Sequence, residues 1–556
     1  MNGFNDIKTR NELAEFLDIP IRKLTYVLYK KGIENYYTSF EIPKKSCGVR
    51  QINAPQGDLK EIQKKLANAL ENFQTEYIKE NQIQAKVSHA FEKKKGIITN
   101  SAIHRYKRVV LNLDLENFFE SFHFGRVRGF FEKNRNFCFP IEVATILAQL
   151  ACYKGSLPQG APSSPIITNL ICNILDMRLL KTARKYKLDY TRYADDLTFS
   201  TNDKRFLEDR EKFLDEVIEV IKKSGFMLST KKTRLSLNNS RQMVTGLVVN
   251  KKINVPRDYY KKTRAMANSL YKEGEFKIDD LQGTINQLEG RFSFINQIDW
   301  YNNRNDDKQH SFRKLCSREE QYQRFLFYRY FFFNSKPLIV TEGKTDIAYV
   351  KAALKACYKE YPNLVRKTKD GFEFKISFLR RTKRLDYFLG IVQDGADAMK
   401  NIFNCYSEKG QPVNLSEYFK KKYNLQPLYP VILIFDNEQK SDRPLKKFLN
   451  HIGQKELLAV KQYGRVIENL FVLTNPLIGD KTECEIEDLF DESVLSHTIG
   501  GKTFSRDKNA DSEKNYGKKI FSDYIAKNFE EINFDNFKPL LNDLGKILKE
   551  FKEKKE

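Results

Sequence analysis

The sequence predicts two mixed units in series, an α+β unit followed by an α/β unit with a helical tail. Three observations carry this reading. The apolar runs Arg108-Val-Val-Leu-Asn-Leu-Asp114, Lys336-Pro-Leu-Ile-Val-Thr341 and Tyr429-Pro-Val-Ile-Leu-Ile-Phe435 read as buried strands, and each ends at an acid. Leu188-Asp-Tyr-Thr-Arg-Tyr193-Ala194-Asp195-Asp196-Leu-Thr-Phe-Ser200 reads as two short strands with acids at the tight connection. At 556 residues the chain is also too long for one core, so roughly two to four domains are expected.

The net charge of +24 points to a polyanionic partner, because such a charge repels itself unless phosphates neutralise it. Nucleic acid is favoured over membrane: no apolar run approaches about 18 residues, and Met1-Asn-Gly-Phe-Asn-Asp has no signal pattern. A cytoplasmic location is expected. Cysteines 47, 138, 152, 172, 316, 357, 405 and 484 are scattered, so reduced thiols are expected rather than disulfides or zinc.

Taken in order, the first 40 residues carry helical periodicity (Leu13, Phe16, Leu17, then Leu24, Val27, Leu28) and read as a packed cap. Arg50 lies on the extended segment 49–55, placed to grip a triphosphate, although a lone arginine is more often a surface charge. A helix follows from Leu59 to Leu70. Asn100 and His104 are four apart and share a helix face; a capping Asn beside a half-buried His is the ordinary reading. Asp114 at its strand end is too costly to bury unpaired, so it is expected to join Asp195 and Asp196 around a pair of Mg²⁺ ions about 3.5–4 Å apart. A solvated Asp-Asp turn is the bland alternative, and Asp114 decides against it.

Phe119, five residues past Asp114, could press on the sugar of an incoming nucleotide or be plain core. The punctuated loop 155–165 holds Gln159 and Gly160 and opens the helix 166–175, where Gly160 would let backbone approach a ligand. An amphipathic helix near 209–223 leads to Lys231-Lys232-Thr233, and 243–250 reads as another strand pair.

These pieces in this order resemble the reverse transcriptases of bacterial retrons over about residues 20–310. The resemblance rests on Arg50-Gln-Ile52, the Asp114 strand, Leu157-Pro-Gln-Gly160, Tyr193-Ala-Asp-Asp196 and Lys232-Thr233. Two further elements narrow it to retrons: the tripeptide Val244-Thr245-Gly246, and Asn100-Ser-Ala-Ile-His104, where Ser101 stands for the family's Ala. The resemblance implies a right-hand polymerase with fingers and palm over 1–250 and a helical thumb and connector over 251–330. It implies catalytic Asp114, Asp195 and Asp196 on Mg²⁺, and a deoxynucleotide site of Arg50, Phe119, Gln159, Gly160 and Lys232. Nucleic-acid contacts would come from Asn100, His104, Val244, Thr245 and Gly246. Lys261 and Lys262, in a basic helical stretch, would track a duplex backbone. The linker-like run 302–308 and the aromatic run Phe325–Phe333 mark a boundary, and the latter should pack between domains.

Glu342-Gly343-Lys344-Thr-Asp346 and Asp436-Asn437-Glu438 put acids at the carboxyl ends of expected parallel strands. This pattern resembles the TOPRIM fold over 331–490, implying Glu342 as general acid/base and Mg²⁺ ligand, with Asp436 and Glu438 as further ligands. Acids at 485–488 could add a ligand or simply favour a helix start. With no zinc module or evident nucleophilic-tyrosine domain, a nuclease is the residual reading. Basic stretches at 366–369 and 380–384 could hold DNA. The tail 491–556 reads as helices without an assigned role.

The combined expectation is a retron RNA-directed DNA polymerase. It would use deoxynucleotides to copy a structured noncoding RNA into multicopy single-stranded DNA and stay bound to the product, an oligomer with that nucleic acid being compatible. The fused TOPRIM nuclease would act in phage defence. The alternatives are a group II intron-like or other defence reverse transcriptase, and an RNA-binding scaffold with TOPRIM as the sole enzyme. Intact palm acids with Arg50 and Gln159 favour a live polymerase.

Overall fold

The computed structural model describes residues 4–43, 48–81, 87–304, 312, 314–392, 397–409, 414–438, 443–507 and 509–553. Cys47 and most of the 302–308 run lie outside the described residues. The chain forms two compact units, Met1–Tyr260 with Ile298–Arg304, and Lys261–Gln297 with Asn305–Glu556. No helix among the described residues is long and apolar enough to cross a membrane.

In the first unit, an antiparallel hairpin of β1 (Tyr37–Pro43) and β2 (Val49–Pro55) precedes the long helix α1 (Gly57–Glu80). Leu59, Ile62, Leu66 and Leu70 line the buried face of α1 at helical spacing. Helix α2 (Ile97–Ile103) leads to β3 (Val109–Asp114), and α3 (Phe124–Lys133) and α4 (Ile141–Ala151) follow. Helix α5 (Ser164–Lys185) starts with Pro165 in its first turn, where the missing N–H goes unmissed. Then come β4 (Asp189–Tyr193), β5 (Asp196–Thr201), α6 (Phe206–Lys223), β6 (Arg234–Leu237) and the short pair β7 (Met243–Val244) and β8 (Leu247–Val248). The central sheet is antiparallel in the order β4-β5-β3-β6. Strand β3 reads as unbroken apolar sequence because both faces are covered. Val109, Leu111 and Leu113 enter the main core, while Val110 meets Val244 and Val249.

In the second unit, helices α7 (Arg257–Glu273) and α8 (Ile285–Asn303) contribute their Lys261–Gln297 portion, and α9 (Ser317–Phe327) follows. A five-stranded sheet is built from β9 (Leu338–Thr341), β12 (Ser377–Phe378), β13 (Val431–Phe435), β14 (Tyr463–Ile467) and β15 (Leu470–Thr474). A separate hairpin, β10 (Val365–Thr368) with β11 (Gly371–Phe374), precedes β12. The order is β12-β9-β13-β15-β14, parallel except for the β14 edge. Alternate residues feed two cores. Leu338, Val340, Val431, Leu433 and Phe435 face α11 (Lys383–Leu389), α12 (Asp397–Asn404), α13 (Leu415–Tyr423) and α14 (Pro444–Ile452). Ile339, Ile432, Ile434, Phe471 and Leu473 face α10 (Asp346–Ala356), α15 (Lys518–Lys527) and α16 (Lys538–Glu553).

The aromatic run at 325–333 packs between the helices read as thumb and the α/β layer, where Phe325 meets Phe292, and Tyr328 meets Tyr271 and Phe419, all within one compact unit. It joins the helices read as thumb to the α/β sheet, because so many rings can only be sated by helices on one side and a sheet layer on the other. The tail likewise forms a cover, with Leu540, Leu541, Leu544 and Ile547 of α16 closing one sheet face. The seven described cysteines are free thiols.

Candidate active site

Tyr193 pairs with Asp196, leaving Ala194-Asp195 as a two-residue turn. Ala194 adopts a φ of 56°, a left-handed conformation that costs a residue with a Cβ about 1–2 kcal/mol. Asp196 stands opposite Asp114 across β5 and β3, and such cross-strand partners put Cβ atoms about 4.5–5.5 Å apart on one face. The Asp195 carbonyl accepts the Leu115 N–H at 3.0 Å, fixing the turn against the end of β3. Segment 227–232 runs beside it, with Ser229 N–H donating to the Asp114 carbonyl at 2.8 Å. That course delivers Lys232, whose Nζ donates to both carboxylate oxygens of Asp114 at 2.8 and 3.0 Å.

Charge is crowded at this end of the sheet. Burial raises Asp195 above its ordinary value, with Asp114 adding to the shift. Asp196 keeps an exposed edge, yet the protein atoms packed around it, then the Asp195 and Asp114 charges, push it up to about 7. The hydrogen bond to Asp114 raises Lys232.

Behind the turn lies a device the sequence reading missed. Arg192 of β4 is wholly buried and forks onto Asp176 of α5, Nε to Oδ1 and Nη2 to Oδ2 both at 2.8 Å. Tyr190 Oη also donates to Asp176 Oδ1 at 2.9 Å, and Arg192 Nη1 reaches the Ala194 carbonyl at 3.3 Å. The strained turn is thus braced from below. The only sequence signal was an Arg inside an apolar strand and an Asp on a helix otherwise buried at that position.

The other expected residues separate into groups. Arg50 is exposed on β2, Gln159 and Phe119 are half-buried, and the Phe119 ring rests edge-on against Phe118 at 5.5 Å. Gly160 has a φ of 120°, and a Cβ there would lie 2.8 Å from the Asn53 carbonyl oxygen and 2.9 Å from Ile52. Its need for glycine is therefore met by close approach to β2, while its other side is exposed. The Gln159 carbonyl accepts from Asn53 N–H at 2.8 Å in the same contact.

Asn100 and His104 have no exposed surface, which corrects the expectation that they face nucleic acid. His104 Nδ1 lies 2.7 Å from Ser200 Oγ and Nε2 lies 2.7 Å from Thr191 Oγ1, so it clasps the back of β4 and β5. Burial lowers its pKa to about 3. Val244 is buried as well, and Thr245-Gly246 is a turn with both φ angles positive, 45° and 83°. Ser101 Oγ donates to the Val244 carbonyl at 2.9 Å and meets Thr245 Oγ1 at 3.2 Å. The two elements that narrowed the resemblance to retrons therefore form one contact, and the hydroxyl at Ser101 gives the substitution a use. Lys261 and Lys262 are exposed on α7.

The second unit gathers acids at the carboxyl ends of β9 and β13. Glu342 Oε2 is buried without a hydrogen-bond partner. Burial, then the Asp346 and Glu438 charges, push Glu342 up to about 7. Asp346, absent from the expected site, is buried at the start of α10 and accepts the Gly343 N–H at 2.7 Å. Asp436 accepts from Asn475 Nδ2 at 2.8 Å and Ile486 N–H at 2.9 Å, and burial with the Asp346 and Glu342 charges raises it well above its ordinary value. Glu438 is buried within 3.3 Å of Arg443. Glu487, fully buried, pairs with Lys518 at 3.0 Å. Of the basic stretch expected to hold DNA, Arg381 donates to the Thr341 carbonyl, and Arg384 binds Glu289 at 2.6 Å and Ser293 at 2.8 Å. Those two serve the fold.

Among the described residues no three His, Cys, Asp or Glu side chains form a ready metal cage as they stand. The donor chemistry nonetheless suits a hard divalent cation at both places, since each offers carboxylate oxygens only. The orphaned Glu342 Oε2 and the under-neutralised Asp195 and Asp196 are what such an ion would relieve.

A sheet with this hairpin, faced by a third acid on the neighbouring strand, defines a polymerase of the reverse transcriptase class, and the family model for reverse transcriptase (RNA-dependent DNA polymerase) matches residues 42–271. The retron Ec86 reverse transcriptase of Escherichia coli is 31% identical over 303 residues, 53% of this chain and 87% of that one. The retron Mx162 and Mx65 reverse transcriptases of Myxococcus xanthus are 31% and 30% identical, over 54% and 52% of this chain. The chain belongs to the retron reverse transcriptase family. It spans 65% of the length of the Mx162 enzyme and 68% of the Mx65 enzyme. Among solved structures, telomerases of Candida albicans and Candida tropicalis align over 52% of this chain and 58% and 61% of theirs, at TM-scores of 0.32 and 0.31 and identities of 10% and 12%.

Proposed function

We propose that the chain is an RNA-directed DNA polymerase that copies a structured noncoding RNA into single-stranded DNA in the cytoplasm, and that its second unit is a TOPRIM-type nuclease serving phage defence. The observation that carries the polymerase reading is Asp114 facing Asp196 in register, with Asp195 at the adjoining turn. Asp114, Asp195 and Asp196 would hold Mg²⁺, which when bound activates the attacking hydroxyl and steadies the leaving pyrophosphate. Lys232 balances Asp114, and its flexible stem can pass the ammonium to a phosphate. Exposed Arg50 offers a planar fork to the triphosphate, and Phe119 limits room at the sugar. Incorporation of labelled deoxynucleotides on an RNA template tests this reading, with Asp195→Asn as the inactive control; equal rates in the two proteins would overturn it.

The nuclease reading is supported by acids that converge at parallel strand ends, with Glu342, Asp436 and Glu438 in the roles the TOPRIM resemblance implies. A carboxyl titrating near 7 suits a general acid/base at neutral pH. Cleavage of single- and double-stranded DNA and RNA by the wild-type and Glu342→Gln proteins tests it, and identical product patterns would remove the assignment.

A further inference from the structure

A hollow of about 380 Å³ runs along α10, lined by Lys344, Lys351, Lys355, Arg380 and Phe378. Lys351 and Lys355 are four apart and so project from one face, about 6 Å along the helix. None of Lys351, Lys355 and Arg380 has a carboxylate partner among the described residues, and no acid lines the hollow. The lysines are instead held by rings. Lys351 Nζ lies 5.0 Å from the Phe378 centroid and 5.8 Å from that of Phe374, and Lys355 Nζ lies 5.0 Å from Phe529 and 5.9 Å from Phe372. A ring steadies an ammonium without neutralising it, so the charge remains available to an anion. Burial and the Lys355 charge lower Lys351, which fits positive charge lacking a counter-ion.

We propose that this hollow seats the phosphates of a nucleic-acid strand whose next linkage lies at the Glu342–Asp436 acids. Lys344 stands two residues past Glu342, so one end of the hollow lies beside the segment that carries that acid. A peptide carboxylate led there would meet like charge, whereas a phosphodiester is the group the proposed chemistry acts on. The direction toward those acids rests on the nuclease reading; the seat itself stands on the lining.

The test uses the full chain carrying Glu342→Gln, with oligothymidylate as probe and site-resolved lysine acetylation read by mass spectrometry. Lys351 and Lys355 should be protected by the probe. In binding titrations, Lys351→Gln with Lys355→Gln should flatten the dependence of log K on log salt by about 1.4, near 0.7 for each lost contact on a single strand. Unprotected lysines under saturating probe, or an unaltered salt slope, would overturn the seat. Protection by polyglutamate but not by oligothymidylate would also overturn it, in favour of an acidic protein partner. If the wild-type protein cuts no nucleic acid while the lysines are protected, the nuclease reading fails and the seat survives.

Discussion

Arg192 and Asp176 form a two-point ion pair with no exposed arginine surface, directly behind the turn that carries Asp195. Removing one partner strands the other charge, so Asp176→Asn should cost about 3–5 kcal/mol in denaturant unfolding. Asp176→Leu with Arg192→Leu should recover much of that stability and still incorporate nucleotides slowly, because the Ala194 carbonyl loses its guanidinium. A stable double variant with wild-type kcat would mean that the brace does not position the turn.

The two acid centres should separate by mutation. Asp195→Asn and Asp196→Asn keep side-chain shape while removing charge, so DNA synthesis should vanish and the chain stay folded. Glu342→Gln should leave synthesis intact and abolish cleavage and phage protection. Cells fully protected by the Glu342→Gln protein would show that the second unit's chemistry is not the effector step.

Phe119 is half-buried with its ring edge-on to Phe118, and under the proposed polymerase reading it limits room at the sugar. Phe119→Val should raise ribonucleotide use relative to deoxynucleotide use, read as a ratio of kcat/KM values. An unchanged ratio together with a lowered Tm would return Phe119 to the core.

His104 makes stability depend on pH. Its folded pKa lies near 3 against an ordinary 6.5, so between those values the unfolded chain binds more protons. Stability contributed by neutral His104 is therefore complete above pH 6.5 and falls as pH drops toward 3, by up to about 1.4 kcal/mol per unit. His104→Gln should lower stability at pH 7 yet flatten the decline between pH 7 and 5, measured by urea midpoints. Parallel declines in the two proteins would place the acid sensitivity elsewhere.

What was legible in the sequence was what local pattern can encode. Asp114 closes an apolar run and Asp195-Asp196 interrupts another, so strand ends and turn were readable residue by residue. The same logic placed Glu342 and Asp436. The Asp176–Arg192 pair was not readable, because its partners belong to a helix and a strand whose meeting is set by packing. The motif suggests nucleic-acid contact for Asn100, His104 and Val244, yet polarity and motif say nothing about which side of a sheet an element covers, and all three are buried. Gly160 shows the same gap: the residue signals close approach without saying to what.

One face of the second unit's sheet receives its last cover from α16, whose Leu540, Leu541, Leu544 and Ile547 complete the layer that α10 and α15 begin. During synthesis the residues of the first unit are complete by Arg304, whereas the core around Ile339, Ile432 and Phe471 waits for a helix that ends only at Glu553. At about 5–20 residues per second, that gives the polymerase unit a lead of roughly 10–50 s. The first unit can thus fold before the Ile339 face of the second sheet receives its last helix, so closure of that face is timed by the ribosome.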